Sequence, residues 1–127
     1  LAITQNLAID NAKKTSDVDL LIITSKNKIF IARFCVNIFL DIFGLRKVKN
    51  KNRICPNFFI SEDSLDTSKV AIKDDTYLAF WVSSLRPIYN QKLFNKFKNE
   101  NKWANKYFPN SEYKSNITLF NTPILFY

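Results

Sequence analysis

Apolar residues fall along the chain in blocks whose spacing predicts strands alternating with helices. Leu1, Ala2, Ile3 and Thr4 open with a short strand. Residues 6–12 have room for one or two helical turns, with Asn6 as N-cap and Leu7, Ala8 and Ile9 turned inward. A polar turn through Lys13, Lys14, Thr15 and Ser16 leads into Val18, Asp19, Leu20, Leu21, Ile22 and Ile23. That nearly continuous apolar run has the length of a buried strand. Ser25, Lys26 and Asn27 then make a polar turn.

Residues 28–45 are apolar except mainly at Arg33, Asn37 and Asp41, which recur every four positions and share one stripe of a helix. The remaining circumference is Ile, Phe, Val and Leu, which predicts a core helix packed across the sheet, with Gly44 as its C-cap. A membrane span is the rival. About sixteen residues rise only about 24 Å against a hydrocarbon core of ~30 Å, and two charges sit inside the run. Residues 54–60 return as an apolar strand. Pro56 removes a ladder donor, so this is an edge strand or one that pairs only after Pro56.

From Asp74 the period becomes helical. Asp74 or Asp75 can cap a helix carrying Tyr77, Leu78, Trp81, Val82 and Leu85, and Arg86-Pro87 ends it. Two short helices follow, at residues 91–99 and 101–107. Their aromatics Phe94, Phe97, Trp103 and Phe108 could stack on bases, but a core stripe is the commoner meaning of that spacing. Residues 117–120 and 124–127 are apolar enough to dock or pair. The whole predicts an α/β (α+β) fold, a small mixed sheet packed against helices. Residues 1–70 form its core, and residues 71–127 are a helical extension of the same domain.

A chain of 127 residues suits one domain, and 46% apolar content with 12 phenylalanines calls for a real core and argues against disorder. With Gly44 the single glycine, turns must use Asn, Asp, Ser and Lys. The formal net charge of +8 attracts polyanions such as nucleotide phosphates or nucleic acid, although scattered lysines also decorate ordinary surfaces. The densest cationic run is RKVKNKNR at residues 46–53. It is a candidate phosphate contact, or more simply a solvated loop. There is no histidine, which excludes Ser-His-Asp and Cys-His catalysis and histidine zinc sites. Cys35 and Cys55 are too few for a metal knuckle or a disulfide framework. They read as small buried hydrophobes with free thiols, as expected in a reducing, cytoplasmic setting.

Asp17 and Asp19 carry the candidate chemistry. Two positions apart at the start of a strand, they project from one face about 6.5 Å apart. Like charges so placed repel unless a cation lies between them or one takes up a proton. Hard divalent ions such as Mg2+ choose such oxygen ligands. The bland alternative is a pair of solvated aspartates at a strand entrance.

The segment TQNLAIDNAKKTSDVDLLIIT, residues 4–24, resembles the signature of the nucleotidyltransferases related to DNA polymerase beta. That signature is a strand, a Gly-Ser or Gly-Gly turn, about ten residues, then Asp-x-Asp on the next strand. Ser16-Asp17-Val18-Asp19-Leu20-Leu21 matches the second half, including the serine before the first aspartate. CPNFFISEDSLD and YLAFWVSSLRPIYN are similar to segments of uncharacterised bacterial members.

The resemblance implies a sheet of the nucleotidyltransferase type. It also implies one or two Mg2+ ions held by Asp17 and Asp19, and transfer of a nucleoside monophosphate from a nucleoside triphosphate to an acceptor. The acceptor class, whether small molecule, protein or RNA end, stays open. Gln5-Asn6 stands where the family has its glycine turn facing the phosphates, with Ser16 and Lys13 or Lys14 nearby. The family's third carboxylate falls on the strand centred at Asn57, a neutral ligand, with Glu62 or Asp63 just beyond as substitutes. A degenerate relative that binds a protein or nucleic acid through its basic surface is the alternative, and Gln5 and Asn57 support it. Since Leu1-Ala2-Ile3-Thr4 resembles the end of the family's first strand, the chain is expected to begin inside a domain.

Overall fold

Four strands form one mixed sheet in the order β3-β2-β1-β4, where β1 is Ala2–Thr4, β2 is Val18–Thr24, β3 is Ile54–Ser61 and β4 is Arg86–Pro87. The helices are α1 (Gln5–Ala8), α2 (Ile29–Ile42), α3 (Thr76–Ser84) and α4 (Gln91–Glu100), with 3-10 turns at Thr67–Lys69 and Lys102–Lys106. This computed structural model describes residues 1–8, 13, 16–46 and 53–111, with only the backbone of Asn6 and Leu7. The expectations for Ile9, Lys14, the interior of the cationic run and residues 117–127 lie outside those residues. The architecture is α+β, as the alternation of patterns predicted.

Strand β1 pairs antiparallel with both β2 and β4, while β2 and β3 run parallel. Parallel neighbours need a crossover, and α2 supplies it. Strand β3 is the edge, where proline is tolerated, and its ladder is irregular just after Pro56. Leu20 faces Pro56 and Leu21 faces Phe58, leaving Asn57 as the extra residue of a bulge.

The core lies on one face of the sheet. Ala2 and Leu21 meet Leu65, Ala79, Trp81, Val82, Leu85, Phe94 and Phe97, so the helical second half and the sheet share one interior. The aromatic stripe is core, as its spacing predicted: Phe94 and Phe97 of α4 are buried, and Trp103 and Phe108 beyond it pack against the same core. Asp75 caps α3 by accepting from the Leu78 N–H at 2.9 Å, and Asn90 caps α4 through the Leu93 N–H at 3.1 Å. With glycine nearly absent, Asn27, Asp74 and Asn90 take left-handed turn conformations at φ 60°, 55° and 59°.

Three expectations change. Helix α1 starts at Gln5, so Asn6 lies inside it rather than capping it. Helix α2 is not a core helix. It packs against β3 along one side: Ile29, Ala32, Val36 and Asn37 are half-buried, and of its residues only Leu40 is buried. An all-apolar circumference says a helix wants burial, but one sheet face can cover only one side of it. Cys35 is exposed for the same reason, lying on the side of α2 away from the sheet. The end of α2 follows its glycine. Gly44, at φ 66°, donates to the Asp41 carbonyl at 3.2 Å while Leu45 donates to that of Leu40 at 2.9 Å, the two bonds of a Schellman motif. Among the described residues no helix is long and apolar enough to cross a membrane.

Candidate functional site

Asp17 stands just ahead of β2 and Asp19 is its second residue, at the end of the strand where β3 also begins. The two strands are locked there by the Val18 N–H donating to the Arg53 carbonyl at 2.7 Å. The approach is fixed by a tight polar turn. The Ser16 N–H donates to the Lys13 carbonyl, and the Lys13 N–H donates to Ser16 Oγ, both at 2.9 Å. Ser16 is thereby committed to shaping the turn, and the Lys13 side chain is exposed.

Each carboxylate has a neighbour from the β3 side. Asp17 Oδ1 accepts from the Arg53 backbone N–H at 3.3 Å and from Arg53 Nε at 3.4 Å. Asp19 Oδ1 accepts from Asn57 Nδ2, the residue that the β3 bulge leaves outside the ladder. Partial burial, followed by the charge of Asp17, raises the Asp19 pKa above the ordinary aspartate value. Cys55, directly opposite Asp19, feels the same surroundings. Burial and then the two carboxylates push its thiol pKa up, against the pull of Arg53 and Arg46. The thiol therefore stays protonated, a poor nucleophile.

On the other flank, Thr4 of β1 faces Asp19 across the antiparallel ladder. Its hydroxyl is fully buried and meets no hydrogen-bond partner among the described residues. Gln5 follows with φ 56°, the left-handed conformation that glycine adopts without strain. This position thus has a glycine-like backbone while carrying a side chain.

Glu62 and Asp63 do not approach the pair. They lie beyond the far end of β3, about 20 Å along a seven-residue parallel ladder. There Glu62 accepts from the Lys26 N–H at 3.3 Å, and Asp63 accepts from the Ser61 hydroxyl. Asn57 is the residue facing the pair. No group of three His, Cys, Asp or Glu side chains placed to hold a metal occurs among the described residues. A cavity of about 210 Å³ opens elsewhere, lined by Ala8, Phe80, Ser83, Arg86 and Phe108, and neither aspartate lines it.

Of the residues singled out by sequence, Asp17, Asp19, Asn57 and Gln5 converge on this end of the sheet, and the Asn6 side chain lies outside the described residues. Sequence reading missed Thr4 and the specific role of Arg53. The pairing register that brings them in is set by long-range contacts, and only the position of Arg53 at the end of a cationic run hinted at it. No family model matches the chain, and no curated protein or solved structure does.

Proposed function

We propose that the protein is a Mg2+-dependent nucleotidyltransferase that moves a nucleoside monophosphate from a nucleoside triphosphate to an acceptor. The observation that carries this reading is the convergence of Asp17 and Asp19 at one end of β2, close enough for the charge of Asp17 to raise the Asp19 pKa. The donor set fits the ion: Mg2+ is commonly held by one or two carboxylates, with waters and substrate phosphates filling the rest of its octahedron. Bound to Asp17 and Asp19, it supplies charge neutralisation for the triphosphate and the departing pyrophosphate. Arg53 and Arg46 provide positive potential on the β3 side for a polyphosphate, and Lys13 adds to it from the β2 turn. The left-handed backbone at Gln5 supports the resemblance to a glycine-turn signature. A cytoplasmic setting goes with this reading, since nucleoside triphosphates and free thiols coexist there.

The neutral Asn57, standing where the family has a third carboxylate, favours a second reading. In it the fold is kept, turnover is lost, and a protein or nucleic acid is bound through the basic surface. Calorimetric titration with a nucleoside triphosphate separates the two. The first reading expects binding that requires Mg2+ and disappears in Asp17→Ala and Asp19→Ala. Equal binding by those variants would remove it. Thermal stabilisation by any polyanion, weakened by salt and indifferent to Mg2+, belongs to the second.

A further inference from the structure

The outward side of α2 carries Phe30, Ile31, Phe34, Ile38 and Ile42, with fractional exposures of 87%, 62%, 64%, 41% and 72%. Phe39 and Phe43, packed on each other with ring centroids 4.5 Å apart, are also exposed beside them. Taking about 200 Å² for a whole large side chain, these seven present roughly 890 Å² of apolar surface. That exceeds the largest apolar patch of an ordinary monomer, about 300–600 Å². It is enough for one partner's share of a standard protein interface, about 800 Å².

From this face we infer a homodimer: α2 is the contact by which one copy of the chain binds a second, antiparallel across a two-fold axis. The pattern of the stripe selects this occupant. Phe30, Phe34, Ile38 and Ile42 follow one another every four residues and form a single ridge, aromatic in its first half and aliphatic in its second. A two-fold axis between Phe34 and Ile38 sets Phe34 of each copy on Ile38 of its partner, and Phe30 on Ile42. Every large flat ring then meets a smaller branched side chain, and the paired ridges pack in the common crossing class near −50°. An isologous contact requires such self-complementarity. Antiparallel pairing also opposes the two helix dipoles. Only Asp41 and Arg33 border the stripe with charge, and both already have neighbours, Asp41 with Arg46 at 4.0 Å and Arg33 over the Phe59 ring.

The net charge gives the contact a distinctive salt response. Two copies at +8 repel, so added salt screens the repulsion and tightens an apolar dimer. An anionic membrane surface, the rival occupant for an apolar helix on a basic protein, shows the opposite dependence.

The test is light scattering and sedimentation of the full 127-residue chain over a range of concentration and salt. The expected result is a mass twice 14.9 kDa, reached at lower concentration as salt rises, and a return to monomer in Ile38→Asp with an unchanged circular-dichroism spectrum. A short bismaleimide reads the contact directly. Cys35 borders the stripe, and the two-fold axis brings it near its own copy, so wild type and Cys55→Ser are captured as covalent dimers while Cys35→Ser is not. A monomer at every concentration, capture that persists in Cys35→Ser, or a dimer insensitive to Ile38→Asp overturns the inference. So does dimerisation that appears only after deletion of residues 112–127, or binding of the monomer to anionic vesicles without self-association.

Discussion

Arg53 donates twice to one oxygen of Asp17, through its backbone N–H at 3.3 Å and its Nε at 3.4 Å. The second bond belongs to an ion pair whose side chains are 51% and 34% exposed. Exposed pairs contribute about 0.2–1 kcal/mol, because solvent screens them and two long side chains must be ordered. Arg53→Ala should therefore lower stability by less than about 1 kcal/mol in urea denaturation, the backbone bond remaining. It also withdraws a cation that competes with a metal for Asp17. Calorimetry should find Mg2+ bound more tightly by Arg53→Ala than by wild type. An unchanged or weaker affinity would mean that Asp17 is not a ligand.

Asp19 gives a pH dependence of definite sign. Its folded pKa lies above that of an ordinary aspartate, first through burial and then through Asp17. Between the unfolded and folded pKa values the folded chain holds the extra proton, so the contribution of Asp19 to stability is full at lower pH. It is lost as pH rises through the folded pKa. Asp19→Asn removes this loss and can still accept from Asn57. The variant should gain on wild type when denaturation at neutral pH is compared with denaturation below the ordinary carboxylate range of about 4. Asp63 and Asp66 work the other way. Hydrogen bonds from Ser61 and Ser68 lower their pKa values, so their contributions fade as pH falls. For that reason the comparison is made between variants at each pH.

Much of this arrangement was readable from local chemistry. Strand β2, the Asp75 cap and the core stripe of Phe94 and Phe97 each follow from period and capping, which depend on near neighbours. Pro56, lacking an N–H, allowed either an edge strand or pairing only after it; β3 is an edge strand that pairs from Ile54 onward. What escaped was pairing. Nothing local says that Thr4 faces Asp19, or that β2 and β3 run parallel and so carry Glu62 and Asp63 away from the acidic pair. Helix α2 misled for a related reason. Its composition called for burial on every side, and the fold satisfies one side. The remaining demand is what the dimer contact answers.

The backbone at Gln5 makes a third prediction. A non-glycine residue in the left-handed region is strained by roughly 1–2 kcal/mol, while glycine costs about 0.5–1 kcal/mol of extra chain entropy. At φ 56° the balance favours glycine, so Gln5→Gly should raise stability by about 0.5–1 kcal/mol. Thermal unfolding checks it. A loss of stability would mean that the Gln5 side chain makes a contact outweighing the strain.

Asn101 should be the costliest polar position to alter. It is almost fully buried, and its amide serves four other residues at once. Its Oδ1 accepts from the Thr67 N–H at 2.8 Å, from the Thr67 hydroxyl, and from Trp103 Nε1 at 3.2 Å. Its Nδ2 donates to the carbonyls of Leu65 at 2.7 Å and Phe97 at 2.8 Å. The contact ties the loop after β3 to the end of α4, across the core. Asn101→Ala strands several buried groups, each costing about 1–3 kcal/mol when left unpaired, so a loss of roughly 3–5 kcal/mol is expected where no water replaces the amide. Asn101→Asp keeps the shape and the accepting oxygen but replaces the donor with a second acceptor facing two carbonyls. A buried carboxylate without a cation tends to neutralise by taking up a proton. That variant should therefore recover part of its stability as pH is lowered, whereas the alanine variant should not. Denaturation of both variants at two pH values distinguishes a lost donor from a simple cavity.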